Sequence, residues 1–110
     1  DSLIITKLDV LDQLDEIPVC VAYEAGGRRT LEIPATYRAY EHVQPVYEML
    51  PGWGAPTKGV TEWARLPAKA RDYLAFLEER TGVEVGCVST GPERNETILR
   101  AGSKLAELLA

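Results

Sequence analysis

Two short segments carry residue types that could do chemistry, Thr6-Lys7-Leu8-Asp9 and Ser89-Thr90-Gly91-Pro92. Each stands where an apolar, strand-like run stops. The C-terminal ends of strands in open α/β sheets are where ligands bind. A carboxylate such as Asp9 can accept two adjacent N–H donors in a charge-assisted, two-pronged pair. Guanine presents that arrangement at N1–H and its N2 amine. Adenine has an acceptor at N1 and no N2 amine, so it would leave the carboxylate unpaired and desolvated. Lys7 could lay its aliphatic stem along a base face while its ammonium reaches solvent or a sugar. The second loop could offer backbone N–H groups or the Ser89 hydroxyl, and Gly91 removes bulk where backbone must come close. Taken singly, neither segment is diagnostic. Lys-x-Asp is commonly a solvated turn with a helix-capping Asp, and Gly-Pro marks ordinary turns.

The elements that must position these loops follow from periodicity. Ser2 to Thr6 reads as a central strand. Leu8, Leu11 and Leu14 then recur at i, i+3, which predicts one or two helical turns over 7–14. Ile17 to Glu24 is β-branched and apolar, a second strand. The Gly26-Gly27 pair suits a hairpin turn, and Thr30 to Ile33 returns as a third strand that Pro34 ends. A short strand is expected around Pro45-Val46-Tyr47-Glu48. Pro51-Gly52-Trp53-Gly54-Ala55-Pro56 is an ordered loop, with Trp53 expected in the core. Leu66 to Arg80 is the clearest helix. Pro67 suits its first position, Leu66, Ala70, Tyr73, Leu74 and Leu77 share one face, and Gly82 fits the position past its end. Val83 to Val88 is a further strand. Pro92 could start a last helix with Glu93 and Glu96 at its positive end. Leu105, Leu108 and Leu109 keep helical spacing in the tail. The fold class is therefore α/β, an open mixed sheet with flanking helices, and residues 1–110 read as a single α/β unit.

Composition narrows the function classes. The chain has 110 residues, enough for one modest core. Hydrophobic residues make up 45% and charged residues 26%, ordinary values for a globular chain. Seventeen acidic against 12 basic residues give a net charge of −5, which argues against nucleic acid as a partner. No apolar run approaches the roughly 20 residues a membrane span needs, so no membrane partner is expected. No basic stretch followed by an apolar run opens the sequence, so no export signal is expected. It begins at Asp1, almost inside a strand, and a fragment or processed product is the expectation. Cys20 and Cys87 sit in apolar runs and read as buried free thiols. With His42 as the one histidine, no zinc-ligand spacing exists, and His42 itself reads as a surface residue.

Four segments, in order, resemble one family. Thr6-Lys7-Leu8-Asp9-Val10-Leu11-Asp12 is similar to the base-recognition segment of adenylosuccinate synthetases. Pro45 to Trp53 resembles that family's P-x-Y-E-x-x-P-G-W run. Leu77 to Val83 is similar to its I-E-E-L-T-G-V helix end, and Ser89 to Arg94 to its S-T-G-P-D-R loop. The likeness runs from about Ser2 to Leu99. It implies the C-terminal part of that family's P-loop-like fold, and enzymes that condense inosine monophosphate with aspartate while hydrolysing GTP with Mg²⁺. It implies guanine contacts from Lys7, Asp9, Ser89 and Gly91, with Thr90 and Pro92 shaping the second loop. It further implies a cytoplasmic homodimer, with the remainder of the synthetase chain as partner.

The departures matter as much. There is no Gly-x-x-x-x-Gly-Lys-[Ser/Thr] phosphate loop. The family's phosphate segment, its catalytic Asp and His, and its Mg²⁺ ligands fall outside the resemblance. No catalytic residue is expected here, and the piece alone is expected to be inactive. A stand-alone guanine-nucleotide binding or interaction module is the alternative. Arg100 to Ala110 match no family motif.

Overall fold

The computed structural model describes residues 1–32 and 43–109. Ile33, Pro34 and His42, all named above, lie outside the described residues. Where the sequence predicts one α/β unit, the described chain divides into two compact units, residues 1–15 with 51–110, and residues 16–50.

The first unit holds both candidate loops. Strand β1 is Ser2–Ile5, helix α1 is Ala68–Thr81, strand β5 is Glu84–Ser89, strand β6 is Thr97–Leu99 and helix α2 is Lys104–Leu109. β5 lies between β1 and β6. It pairs parallel with β1, from Ser2 opposite Glu84 to Ile5 opposite Val88. It pairs antiparallel with β6, from Cys87 opposite Leu99 to Ser89 opposite Thr97. The sheet is therefore mixed, as predicted. β1, expected to be central, is an edge strand of this three-stranded sheet.

α1 forms where the apolar face predicts it. Its Ala70 and Leu74 are buried, with Leu66 buried just ahead, and it packs on β5 with Val85 and Val88. Pro67 caps the helix rather than occupying its first turn. Gly82 is left-handed, and its N–H donates to the Glu78 carbonyl at 2.9 Å. A 3-10 helix, Leu8–Gln13, follows β1 and buries Leu8. A second 3-10 turn, Trp63–Arg65, precedes α1.

The predicted helix at Pro92 does not form. Residues 91–96 make a turn that feeds β6. Pro92 and the acids favour a helix start locally, but the Thr90 N–H donates to the Glu96 carbonyl at 2.8 Å and folds the chain back for pairing with β5. The tail helix does form. Arg100 anchors its approach: its guanidinium lies 4.2 Å from the Trp63 ring centre and 2.8 Å from Glu78. The same Glu78 oxygen accepts the Val85 N–H at 2.9 Å.

The second unit is an antiparallel hairpin with a neighbour. β2 (Glu16–Ala25) and β3 (Arg28–Thr30) pair from Tyr23 opposite Thr30 to Ala25 opposite Arg28, around the Gly26-Gly27 turn. β4 (Gln44–Pro51) lies on the other side of β2. Ile17 and Ala22 are buried. Cys20, predicted to be buried, is exposed on β2, because alternate residues of a strand face opposite ways. Cys87 is half-buried, and burial pushes its thiol pKa up. Both cysteines are free.

Leu74 has no exposed surface. Leu74→Ala should therefore lower stability by about 2–5 kcal/mol, read as a shift of the denaturant midpoint. Leu74→Asp should abolish cooperative unfolding of this unit.

Candidate functional site

The parallel pairing decides where the two loops lie. β1 and β5 run the same way side by side, so Thr6 to Asp9 and Ser89 to Pro92 leave the same end of the sheet from adjacent strands. Adjacent strands are about 4.8 Å apart.

Lys7 makes the first turn. Its backbone is left-handed, φ 59° and ψ 36°, a conformation that costs an L-residue about 1–2 kcal/mol. Among the described residues no other non-glycine has positive φ. The turn ends β1 abruptly and starts the 3-10 helix, with the Val10 N–H on the Lys7 carbonyl at 3.1 Å. Asp9 falls in the first turn of that helix. It is half-buried and lines an open cleft of about 470 Å³ with Asp12, Gln13, Gly54, Ala55, Pro56 and Lys58. Ligand sites commonly measure roughly 300–1,000 Å³. Lys7 is exposed and is not part of the lining.

Asp12, one turn on from Asp9, is occupied by protein. Its carboxylate accepts the Trp53 indole N–H at 2.7 Å, the Thr57 N–H at 2.6 Å and the Thr57 hydroxyl at 2.7 Å. Trp53 is buried, and its ring meets Tyr73 at 5.7 Å. Burial raises the Tyr73 pKa. The close approach of the loop to the 3-10 helix explains Gly52. Its N–H donates to the Asp15 carbonyl at 2.8 Å, and a Cβ there would fall on the Leu14 carbonyl oxygen.

The second loop is held from within and from one side. Thr90 is fully buried, and its hydroxyl donates to the Val60 carbonyl at 2.8 Å. The Gly59 N–H meets the Thr90 carbonyl at 3.4 Å. The Ser89 hydroxyl, considered above as a base contact, donates to the Gly91 carbonyl at 3.1 Å and closes the turn. Pro92 is exposed. Gly91 is needed for space. A Cβ would run into the Glu96 carboxylate, which accepts the Glu93 N–H at 3.2 Å.

The cleft and the second loop are neighbours rather than one lining. No residue of Ser89–Pro92 is among the lining residues named above. Residues 57–60 join them, bonded to Asp12 at one end and to Thr90 at the other. The sequence reading gives no site role to Asp12, Thr57, Lys58 or Glu96. Asp12 lies in a run with Asp9 and Asp15 at every third position, and spacing alone does not separate the three acids.

What the arrangement can do is receive paired N–H donors at Asp9, with Lys58 also lining the cleft. Among the described residues no group of three His, Cys, Asp or Glu side chains could hold a metal ion. Among the same residues no helix is long and apolar enough to cross a membrane.

The comparisons with known proteins agree in one direction. The family model for adenylosuccinate synthetase matches residues 1–98. The adenylosuccinate synthetase of Solibacter usitatus is 61% identical over 109 residues, 99% of this chain and 25% of the relative. That alignment takes in the tail after Leu99, which the motifs alone left unmatched. The Mycobacterium tuberculosis synthetase is 51% identical over 96 residues, 87% of this chain and 22% of the relative. A fully ligated adenylosuccinate synthetase from Plasmodium falciparum superposes with a TM-score of 0.86 at 30% identity, over 91% of this chain and 24% of that one. The chain thus spans about a quarter of the length of these relatives.

Gly91→Ala should cost roughly 0.5–1.5 kcal/mol, the value of the Glu93–Glu96 hydrogen bond lost when the carboxylate swings aside. In a Glu96→Ala background the same substitution should cost nothing further, as a double-mutant cycle on unfolding free energy would read.

Proposed function

Because the chain belongs to the adenylosuccinate synthetase family, we propose that it supplies the guanine-reading part of a GTP-dependent ligase that condenses inosine monophosphate with aspartate. One observation carries this reading: the Asp9 turn and the Ser89–Pro92 loop leave one end of a parallel strand pair. In the proposed complex the Asp9 carboxylate accepts N1–H and N2–H of guanine. The stem of Lys7 covers the base, and the backbone of Ser89 and Gly91 serves its remaining edge. Thr90 and Pro92 shape that loop, Thr90 through its buried bond to Val60.

The chemistry of bond formation belongs elsewhere. This chain contributes base recognition and no catalytic group. The phosphate cradle, the Mg²⁺ ligands and the inosine monophosphate contacts come from the remaining three quarters of a synthetase, acting as a cytoplasmic homodimer. Alone, the 110 residues are inactive and bind GTP weakly, because base contacts without phosphate contacts barely offset the entropy lost on association.

The experiment is steady-state kinetics of the full-length enzyme. Two charge-assisted bonds contribute about 1.5–3 kcal/mol each, so Asp9→Ala should lower kcat/KM for GTP at least about a hundredfold. Asp9→Asn should loosen the preference for guanine. Unchanged GTP kinetics in both variants would refute the proposal. Submicromolar GTP binding by the isolated chain in a calorimeter would favour a self-contained nucleotide module.

A further inference from the structure

We propose that Asp12 and Thr57 are positioning residues for guanine selection, fixing where Asp9 stands relative to the Ser89–Pro92 loop. This inference rests on the reading of Asp9 as the guanine contact.

The 3-10 helix that carries Asp9 is weak by itself. It has six residues, and its N-cap Lys7 is left-handed and makes no side-chain capping bond. Such helices have poorer hydrogen-bond geometry than α-helices and rarely run long. A carboxylate on so short an element keeps its place only if something outside the element ties it down.

Asp12 is that tie. A 3-10 helix has three residues per turn, so positions 9 and 12 stack on one face, and both line the same cleft. The Asp12 carboxylate accepts three hydrogen bonds, all from residues 53 and 57. An ionised carboxylate has about four acceptor sites, so most of its capacity goes to the protein. Asp12 therefore cannot serve as a second base-reading group. It fastens the Asp9 turn to its neighbour.

That neighbour reaches the other loop. Thr57 is fully buried. Its carbonyl accepts the Val60 N–H at 3.0 Å, which makes residues 57–60 a closed turn. The far end of the turn meets Thr90 twice, through the Gly59 N–H at 3.4 Å and the Val60 carbonyl at 2.8 Å. One path of hydrogen bonds thus runs from the helix of Asp9, through Asp12, Thr57 and Val60, to Thr90. Its length sets the gap between the two loops independently of the β1–β5 pairing beneath.

A looser gap penalises guanine selectively. Inosine triphosphate carries N1–H and O6 but lacks the N2 amine. The difference between the two nucleotides reports how well Asp9 engages both donors. A displaced Asp9 forfeits the two-pronged geometry and with it that difference. A residue that merely supported the fold would weaken both nucleotides alike.

The test uses full-length synthetase with GTP and inosine triphosphate as alternative substrates. Asp12→Asn and Thr57→Val should raise KM for GTP about tenfold with kcat changed less than threefold, and should cut the ratio of kcat/KM for GTP over inosine triphosphate about tenfold. Thr57→Ser keeps the hydroxyl and should restore the wild-type ratio. Asp9→Ala serves as the control. If Asp9→Ala leaves the ratio unchanged, the guanine reading itself fails. If Asp9→Ala collapses the ratio while Thr57→Val and Asp12→Asn preserve it, or lower both nucleotides equally, the positioning role is overturned. Should Asp12→Asn not fold, Thr57→Val alone decides.

Discussion

Parallel pairing of β1 with β5 is the constraint on which the site depends. Two strands that run the same way deliver their following loops to the same end of the sheet. Had they paired antiparallel, Asp9 and Gly91 would lie at opposite ends, and no single ligand could touch both. Parallel pairing also demands burial on both faces. α1 and α2 both pack on β5, with Val85 and Val88 fully buried. The bulge between Leu3 and Ile4 shifts the register within the pair, so Ile5 ends opposite Val88. Core packing, strand direction and site geometry are thus one problem, solved chiefly by the residues flanking β5.

Above the sheet, polar contacts take over. Adjacent strands start the two loops about 4.8 Å apart, so on the proposed reading the loops must be spread to admit a base and then held. The left-handed Lys7 turns the first loop away. The Ser89 hydroxyl and the Glu96 carbonyl close the second. Residues 57–60 stand between them. The buried polar groups here are satisfied: Thr57 by Asp12, Thr90 by Val60 and Glu96. A half-satisfied network in this place would cost more than an apolar filling.

The sequence was most legible where local rules settle the outcome. α1 declares itself through its apolar face and Gly82, and the hairpin through Gly26-Gly27, because both signals act within a turn or two. The four family-like motifs marked Lys7, Asp9 and Ser89–Pro92 as a group, and strand direction then put the two segments at one end. Where distant contacts decide, local signals misled. Pro92 with Glu93 and Glu96 reads as a helix start, yet the pull of β6 onto β5 makes it a turn. Cys20 sits in an apolar run, yet strand alternation turns it outward. Asp12 and Thr57 are 45 residues apart, and nothing near either one announces the other. Gly91 was legible as a close approach, but the group that approaches in this structure is the Glu96 carboxylate.

On the proposed reading, base recognition and phosphate binding are separated along the chain, and charge favours that separation. A carboxylate that selects guanine also repels the triphosphate of the same nucleotide. Across the roughly 10 Å between a base edge and the phosphates, that repulsion is about 0.4 kcal/mol per charge pair in bulk water, and it grows severalfold as the effective dielectric falls. In the proposed complex an open cleft and nearby cations ease this. Asp9 is half-buried, and Lys7 and Lys58 stand close by in sequence or at the cleft rim. Openness carries a cost of its own, because a hydrated carboxylate gains little by exchanging water for a base edge. Its selectivity sharpens only when the cleft is covered and the water expelled. On the proposed reading, that covering comes with the phosphate-binding part of the synthetase. The geometry of discrimination is then present in this chain, while most of its strength arises in the assembled enzyme.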